Sequence, residues 1–444
     1  MLSPSLAQDR VAALVDLARR AGADAADAIY AGSSSEGVQV RLGQLEDVER
    51  SESEHLDLRV FVGKGSASIG SSDLSDAALG ELAERAVAMA RAAPEDQFAG
   101  LAPAELLAHA PFPELDLSDS EEPSPQRLRE IALACEDAAR AVKGVTNSEG
   151  ANTYAQQSHF VLANSRGFIG GYPYSRHSIS VSPIAGRGNN MQRDDWYSSD
   201  RNPAKLASPE SVGRYAAERA LSRLNARKLD TRKCPVLFEA PLACGLLGAF
   251  VQAVSGGSLY RKSTFLTESI GKQVFDSHIQ LHEDPHVPGA VGSAPFDEEG
   301  VRTRQRDVVK DGVVQGYFLS SYSARKLGMQ TTGNAGGSHN LTLVSTRTQA
   351  SDDFAGMLKK MGTGLLVTEL MGHGVNYVTG DYSRGASGYW VENGVIQYPV
   401  EEITIAGNMK DMFNDIVAIG NDVLSRGTKN AGSILIGSMT IAGS

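Results

Sequence analysis

The sequence has no long apolar run. No window approaches the roughly 18 consecutive apolar residues of a membrane-spanning helix. The amino-terminal stretch MLSPSLAQDRVAALVDLARRAGADAADAIY lacks the basic segment and apolar core of a secretory signal. Both absences lead to the expectation of a cytoplasmic protein that neither spans nor binds a membrane. Cysteine is scarce: Cys135, Cys234 and Cys244 are an odd number, far apart and in apolar surroundings. That excludes a disulfide framework and reads as reduced core thiols. Basic charge is also short, since 53 acidic residues against 42 basic ones leave a net charge of −11. Lys and Arg never run longer than pairs, which argues against a nucleic-acid backbone or an anionic membrane as main partner.

What is present belongs to a folded protein. With 444 residues, 41% of them hydrophobic and 21% charged, the chain is too long for one ordinary core, and two or three domains are expected. Apolar positions Val11, Leu14, Val15, Leu17 and Ala18 recur at helical spacing over 5–21, and GVQVRLG and LDLRVFV then alternate as half-buried strands do. A helix over about 72–92, with Leu79, Leu82, Ala83 and Ala86 on one face, ends before Pro94. After the Pro-, Ser- and acid-rich linker FPELDLSDSEEPSP the pattern returns: Ser124-Pro125 starts a helix, YAQQSHFVLANS and HSISVSPIAG read as strands, and Ser208-Pro209 starts another helix.

From Lys233 the texture changes. CPVLFEA reads as a strand, and LACGLLGAFVQAVSGGS as a buried helix ending at Gly256-Gly257. Hairpin signals follow at Asp311-Gly312 and Asn393-Gly394. The expected fold class is α+β, with helix and antiparallel-strand units over 1–117 and 118–230 and a mostly antiparallel β domain with its buried helix over 231–444.

Several stretches invite a chemical reading. HIQLHEDPH spaces His278, His282 and His286 four apart, as zinc ligands on a helix face would be. Asp284-Pro285 opposes such a helix, and a strand would spread the three rings over more than about a dozen ångströms at roughly 3.3 Å per residue. They are read as loop histidines without a metal. Ser258 and Lys262, four apart after a glycine pair, have the spacing of a Ser–Lys nucleophile and base, which needs a desolvated lysine. MGHGVNYVTGDYSRGASG is rich in glycine and brings His373, Tyr382 and Arg384 near one another in sequence, either for turns or for close approach to a ligand. Arg261 and Lys262 form a basic spot that can take a carboxylate from a peptide or partner, or make a structural ion pair. No nucleotide site is expected: GTGLLVTELMGHG and GMLKKMGTG lack the strand, glycine turn and helix order of a phosphate loop.

Four long stretches in order, SGGSLYRKSTFLTESIGKQVF, DPHVPGAVGSAPFDEEGVRTR, SYSARKLGMQTTGNAGG and TELMGHGVNYVTGDYSRGASGYWVENGVIQYPVEEITIAGNM, are where the chain resembles the TldD/PmbA peptidase family, on its PmbA (TldE) side. The resemblance runs along essentially the whole chain. In the TldD-type paralogue it implies a His-Glu-x-x-x-His helix that binds zinc together with a later cysteine, the glutamate acting as general base. The matching positions here are Val251, Gln252 and Gly256, and no cysteine follows Cys244. The resemblance therefore implies a chain with no catalytic residue and no metal or cofactor of its own, and zinc in a TldD-type partner. It further implies a cytosolic hetero-oligomer acting on unfolded peptides or modified-peptide precursors, with a homodimer open to the chain alone. A non-enzymatic peptide-binding or regulatory protein is the rival reading.

Overall fold

The computed structural model describes residues 1–119 and 123–443, so that Ser120, Glu121 and Glu122 of the expected linker lie outside the described residues. The amino-terminal half begins with α1 (Pro4–Arg20), β1 (Ala25–Arg41), β2 (Gln44–Val62), β3 (Gly65–Ser71) and α2 (Asp76–Ala92). It continues through α3 (Pro125–Arg140), β4 (Val145–Asn164), β5 (Ile169–Ala185), β6 (Gln192–Arg193), β7 (Trp196–Asp200) and α4 (Pro209–Ser222). Ser3, Ser75, Ser124 and Ser208 cap the four helices, each with extended backbone and a side chain that accepts from an amide three residues on. Proline follows at the first helical position of α1, α3 and α4, where its missing N–H costs nothing.

The strands form one sheet in the order β3-β2-β1-β4-β5-β6, with β7 also on β5. β1 and β4 are long enough to serve both helix pairs. Ala26, Ala28 and Tyr30 of β1 pack under α1 and α2, while Val38 and Val40, on the same face, pack under α3 and α4. The two helix-and-strand units thus stand side by side on a continuous ladder. The opposite face meets the rest of the chain through Phe296, whose ring lies 4.9 Å from Phe168 and 5.0 Å from Phe112.

The carboxy-terminal half runs β8 (Arg232–Phe238), α5 (Ala240–Ala253), α6 (Gly256–Tyr260), β9 (Ile279–Asp284), β10 (Arg306–Lys310), β11 (Val313–Val314), α7 (Ser321–Lys326) and β12 (Asn340–Ser345). Then come α8 (Phe354–Met361), β13 (Gly364–Met371), β14 (Asp381–Glu392), β15 (Val395–Asn408), α9 (Met409–Asn414), β16 (Ile416–Ile419), β17 (Lys429–Ala431) and β18 (Ile434–Ala442). They build one sheet ordered β15-β14-β13-β8-β18-β16 and another ordered β11-β10-β9-β12-β17. All pairings are antiparallel except β8 with β13 and β12 with β17. Asp311-Gly312 and Asn393-Gly394 turn two hairpins with positive φ at both residues, the turn that matches strand twist. Val236 and Phe238 of β8 face one large core with Leu246, Leu247 and Phe250 of α5, while Leu237 packs against α8 on the other side. The fold is α+β, and α5 is its buried helix. Among the described residues no helix is long and apolar enough to cross a membrane.

Two expected elements differ. The buried helix does not reach Gly256-Gly257: it stops at Ala253, because Ser255 takes an extended conformation and caps a new short helix, α6. HIQLHEDPH is not a loop, since Ile279–Asp284 is the central strand of its sheet, paired with β10 and β12. Ile279 and Leu281 alternate into the core there, and the strand ends at the residue before Pro285.

Candidate functional site

α5 turns Ala243, Leu246, Leu247 and Phe250 to the core and is partly open to solvent along another side. There Leu242, Leu246 and Ala249 form one wall of a cleft of about 320 Å³, and the loop from Gly372 to Val375 forms the other. The loop joins β13 to β14 and stays sheet-like through a bridge between Val375 and Tyr382, with Ser383 N donating to Gly374 O at 2.8 Å. Gly374 must be glycine, since a Cβ there would stand 1.9 Å from Ser383 O and 2.3 Å from Arg384 Cγ. His373 is exposed at the rim. Tyr382 is only 3% exposed, and its hydroxyl lies beside the Arg384 guanidinium with no acceptor for its proton. Burial pushes the phenol up to about 12, with the neighbouring Arg384 guanidinium pulling the other way. The Nε of Arg384 is likewise buried without a partner. His373, Tyr382 and Arg384, near in sequence, therefore meet in one cleft.

Beside this cleft β13 has an open edge. β8 pairs with it only over Leu365–Val367, and Glu239 N then donates to Val367 O at 3.1 Å as the chain turns into α5. From Thr368 to Met371 no described strand lies on that side. The open edge borders a second, charged cleft of about 390 Å³ that shares Pro241, Leu242 and Leu370 with the first. Within it Arg219 donates to Glu239 Oε1 at 2.7 Å and lies 3.3 Å from Asp194, while Arg223 pairs with Glu369. Burial raises the Glu239 carboxyl despite the opposing pull of Arg219. Arg426 stacks between Trp196 and Tyr197, 3.9 and 4.0 Å from the ring centroids. These residues come from positions as far apart as 194 and 426, and no local spacing in the sequence announces them.

The remaining candidates lie elsewhere. Val251 is half-buried against the core, and Gln252 is exposed, its Nε2 donating to Ser258 Oγ at 3.2 Å. Gly256 is buried in α6, where a Cβ would stand 2.2 Å from Ser323 Oγ and 2.4 Å from Ser323 Cβ. A metal ion does not fit these positions: valine and glycine offer no ligand atom, the carboxamide is engaged, and Gly256 has no room for an imidazole. Cys244 Sγ contacts Lys429 O at 3.1 Å. Among the described residues no group of three or more His, Cys, Asp or Glu is arranged to hold a metal ion.

The three spaced histidines each have their own partners. His278 is buried, with Nδ1 2.7 Å from Ser345 Oγ and Nε2 2.9 Å from Ile416 O, and burial lowers its pKa. Since a carbonyl only accepts, Nε2 carries the proton. His282 contacts Asp307 and His286 contacts Thr303, so the rings do not converge. Ser258 and Lys262 do not form a nucleophile–base pair. α6 ends at Tyr260 and Lys262 turns away with φ 53° into an exposed position, while Ser258 is 3% exposed and bonded to Ser255 and Gln252. Arg261 and Lys262 are exposed and outside the cleft, and among the described residues neither makes an ion pair; Arg261 lies instead over the Tyr260 ring.

Three consecutive family models of the PmbA/TldA metallopeptidases match the chain: domain 1 over residues 26–90, the central domain over 118–224 and the C-terminal domain over 231–443. Metalloprotease PmbA of Escherichia coli O157:H7 is 46% identical over 421 residues, which cover 95% of this chain and 92% of that protein. A solved Bacteroides thetaiotaomicron protein, described as a candidate modulator of DNA gyrase, shares the fold over both full lengths with a TM-score of 0.93 and 25% identity. TldE from Thermococcus kodakarensis has the same fold, with a TM-score of 0.83 and 18% identity over 98% of this chain and 100% of that one. With every domain matched in order and nearly half the residues shared with a full-length relative, the chain belongs to the PmbA/TldA metallopeptidase family.

Proposed function

We propose that the chain is the PmbA/TldE-type subunit of a cytoplasmic metalloprotease complex, holding unfolded peptide while a TldD-type paralogue carries the zinc and cleaves. One observation supports this reading above the others. The positions matched to the zinc helix hold Val251, Gln252 and Gly256, and Ser323 fills the space beside the last. A glutamine cannot take the proton that a glutamate general base would.

The chain retains the means to hold a substrate. The open edge of β13 from Thr368 to Met371 offers backbone donors and acceptors to an extended peptide, a mode that binds main chain with little regard to sequence. The apolar wall of α5, the loop with His373, and Tyr382 and Arg384 at the start of β14 line the cleft beside that edge. Arg261 and Lys262, exposed and without an acidic partner among the described residues, are assigned to the partner surface. Peptide degradation and leader trimming of modified precursors are the activities such a complex would perform, and a homodimer is the form proposed for the chain alone.

The test is zinc content and cleavage of an unstructured peptide by the chain alone, by its TldD-type paralogue alone and by the mixture. The expected result is no zinc and no cleavage from the chain, with about one zinc per pair and cleavage in the mixture. Zinc-dependent cleavage by this chain alone would overturn the assignment.

A further inference from the structure

We propose that the pocket between α5 and the Gly372–Val375 loop takes a carboxylate borne next to an apolar side chain, the chemistry of the free carboxy terminus of a peptide. The inference rests on the peptide-holding reading above and specifies which end of the peptide is held.

Charge supplies the first reason. In a chain of net charge −11, Arg219 and Arg223 of the adjoining cleft are matched by Glu239, Asp194 and Glu369, and Arg426 there is covered by the Trp196 and Tyr197 rings. Arg384 lines its cleft with no ion pair among the described residues, and its Nε has no hydrogen-bond partner. A guanidinium presents paired N–H groups that suit a planar carboxylate.

The second reason is the hydroxyl beside it. Tyr382 is 97% buried at the same cleft, and since the neighbouring Arg384 guanidinium can only donate, the hydroxyl proton finds no acceptor in the protein. A buried donor left unmatched is costly, of the order of 1–3 kcal/mol, and is rarely retained without use. Arginine and tyrosine together offer donors on one side of the pocket. The facing wall, with Leu242, Leu246 and Ala249 of α5, offers only apolar surface.

A phosphate gains nothing from such a wall, whereas a terminal residue with an apolar side chain uses both halves of the pocket. The position fits as well. The pocket lies at the loop end of the open β13 edge, sharing Leu370 with it, where a chain paired along that edge would terminate. An acidic side chain offers the same carboxylate, so the experiment separates the two sources.

The probes are an N-terminally labelled, unstructured octapeptide ending in leucine, as free acid and as carboxy-terminal amide, and the amide with glutamate as its last residue. Binding to the full chain is read by fluorescence anisotropy. The free acid is expected to bind about 10-fold or more tightly than the leucine amide, the usual effect of one charge-assisted contact. Arg384→Gln should bring the acid down to the level of the amide, with a cooperative urea-unfolding transition showing that the variant is folded. Tyr382→Phe should weaken the acid alone, by several-fold.

Equal binding of acid and amide to the unaltered chain would overturn the carboxylate pocket while leaving the peptide-holding reading standing. A glutamate amide that binds as well as the free acid would overturn the terminal assignment in favour of an acidic side chain. Absence of binding by every probe would overturn both readings.

Discussion

Gly256 is where the lost-zinc reading is most exposed to test. A methyl group at this position would stand 2.2 Å from Ser323 Oγ, 2.4 Å from Ser323 Cβ and 3.1 Å from Leu319 Cδ2. Two of these distances are well inside van der Waals contact, and the obstacle is the root of a side chain on α7, which cannot rotate away. Overpacking of this kind costs about 1–3 kcal/mol, against about 0.5–1 kcal/mol gained by replacing a helical glycine with alanine, so Gly256→Ala should destabilise by roughly 1–2 kcal/mol net. Urea unfolding at unchanged m-value measures it. The geometry also dictates which second change helps. Ser323→Ala leaves the Cβ in place and should rescue little, whereas Ser323→Gly removes it and should recover about 1 kcal/mol of the loss in a double-mutant cycle. A neutral or stabilising Gly256→Ala, or equal rescue by both second changes, would refute the tight packing of α6 on α7. The steric case against a histidine ligand at this position would fall with it.

Two further predictions rest on buried charge. Arg219→Met leaves Glu239 without its paired cation where its side chain is only 11% exposed, and leaves Asp194 with Arg223 alone, and should cost about 3 kcal/mol in urea unfolding. Glu239→Gln should cost less, because Glu239 Oε2 has no partner to lose; equal effects would mean that the pair is not the unit described. Burial lowers the pKa of His278 below its ordinary 6.5, so its contribution to stability is complete above that value and is lost as pH falls through the folded-state pKa. The unfolding midpoint should therefore drop as pH is taken from 7 to 5, and His278→Gln should flatten part of that drop; an unchanged slope in the variant would assign the pH dependence elsewhere.

Much of the fold is legible locally, because its signals are local. Ser-Pro starts fix α3 and α4, and Asp311-Gly312 and Asn393-Gly394 both make turns with positive φ at both residues. The length of β2 is not legible. The stretch 44–53 is exposed on both faces and carries no alternation, and it is a strand because β1 pairs with it residue by residue. The helix break at Ser255 had a signal, a capping serine before a glycine pair, but the apolar run leading to it reads more strongly as one continuous helix. HIQLHED alternates as a strand should, and the prolines that follow it mask that pattern. Of the candidate cleft, the glycine loop is visible in the sequence. Its meeting with α5 and the open edge of β13 depend on the order of strands in the sheet, which no local spacing encodes.

Metal sites contribute to folding where ligand side chains would otherwise lack partners. α5 has no such debt. Its inner face is filled by Leu246, Leu247 and Phe250, whose ring lies 5.1 Å from Phe275 and 5.9 Å from Phe413, and Gln252 is bonded to Ser258. The helix that would carry the ligands is thus held by apolar burial alone, and the fold can keep its place without a cation. Unmatched groups are found at the proposed substrate cleft instead. Thr368 to Met371 has no strand neighbour on one edge, the Tyr382 hydroxyl proton has no acceptor, and Arg384 Nε has no hydrogen-bond partner. Unmatched polar groups are costly in a folded protein, and the Tyr382 hydroxyl and Arg384 Nε stand at one cleft wide enough for a peptide, the place proposed above for substrate.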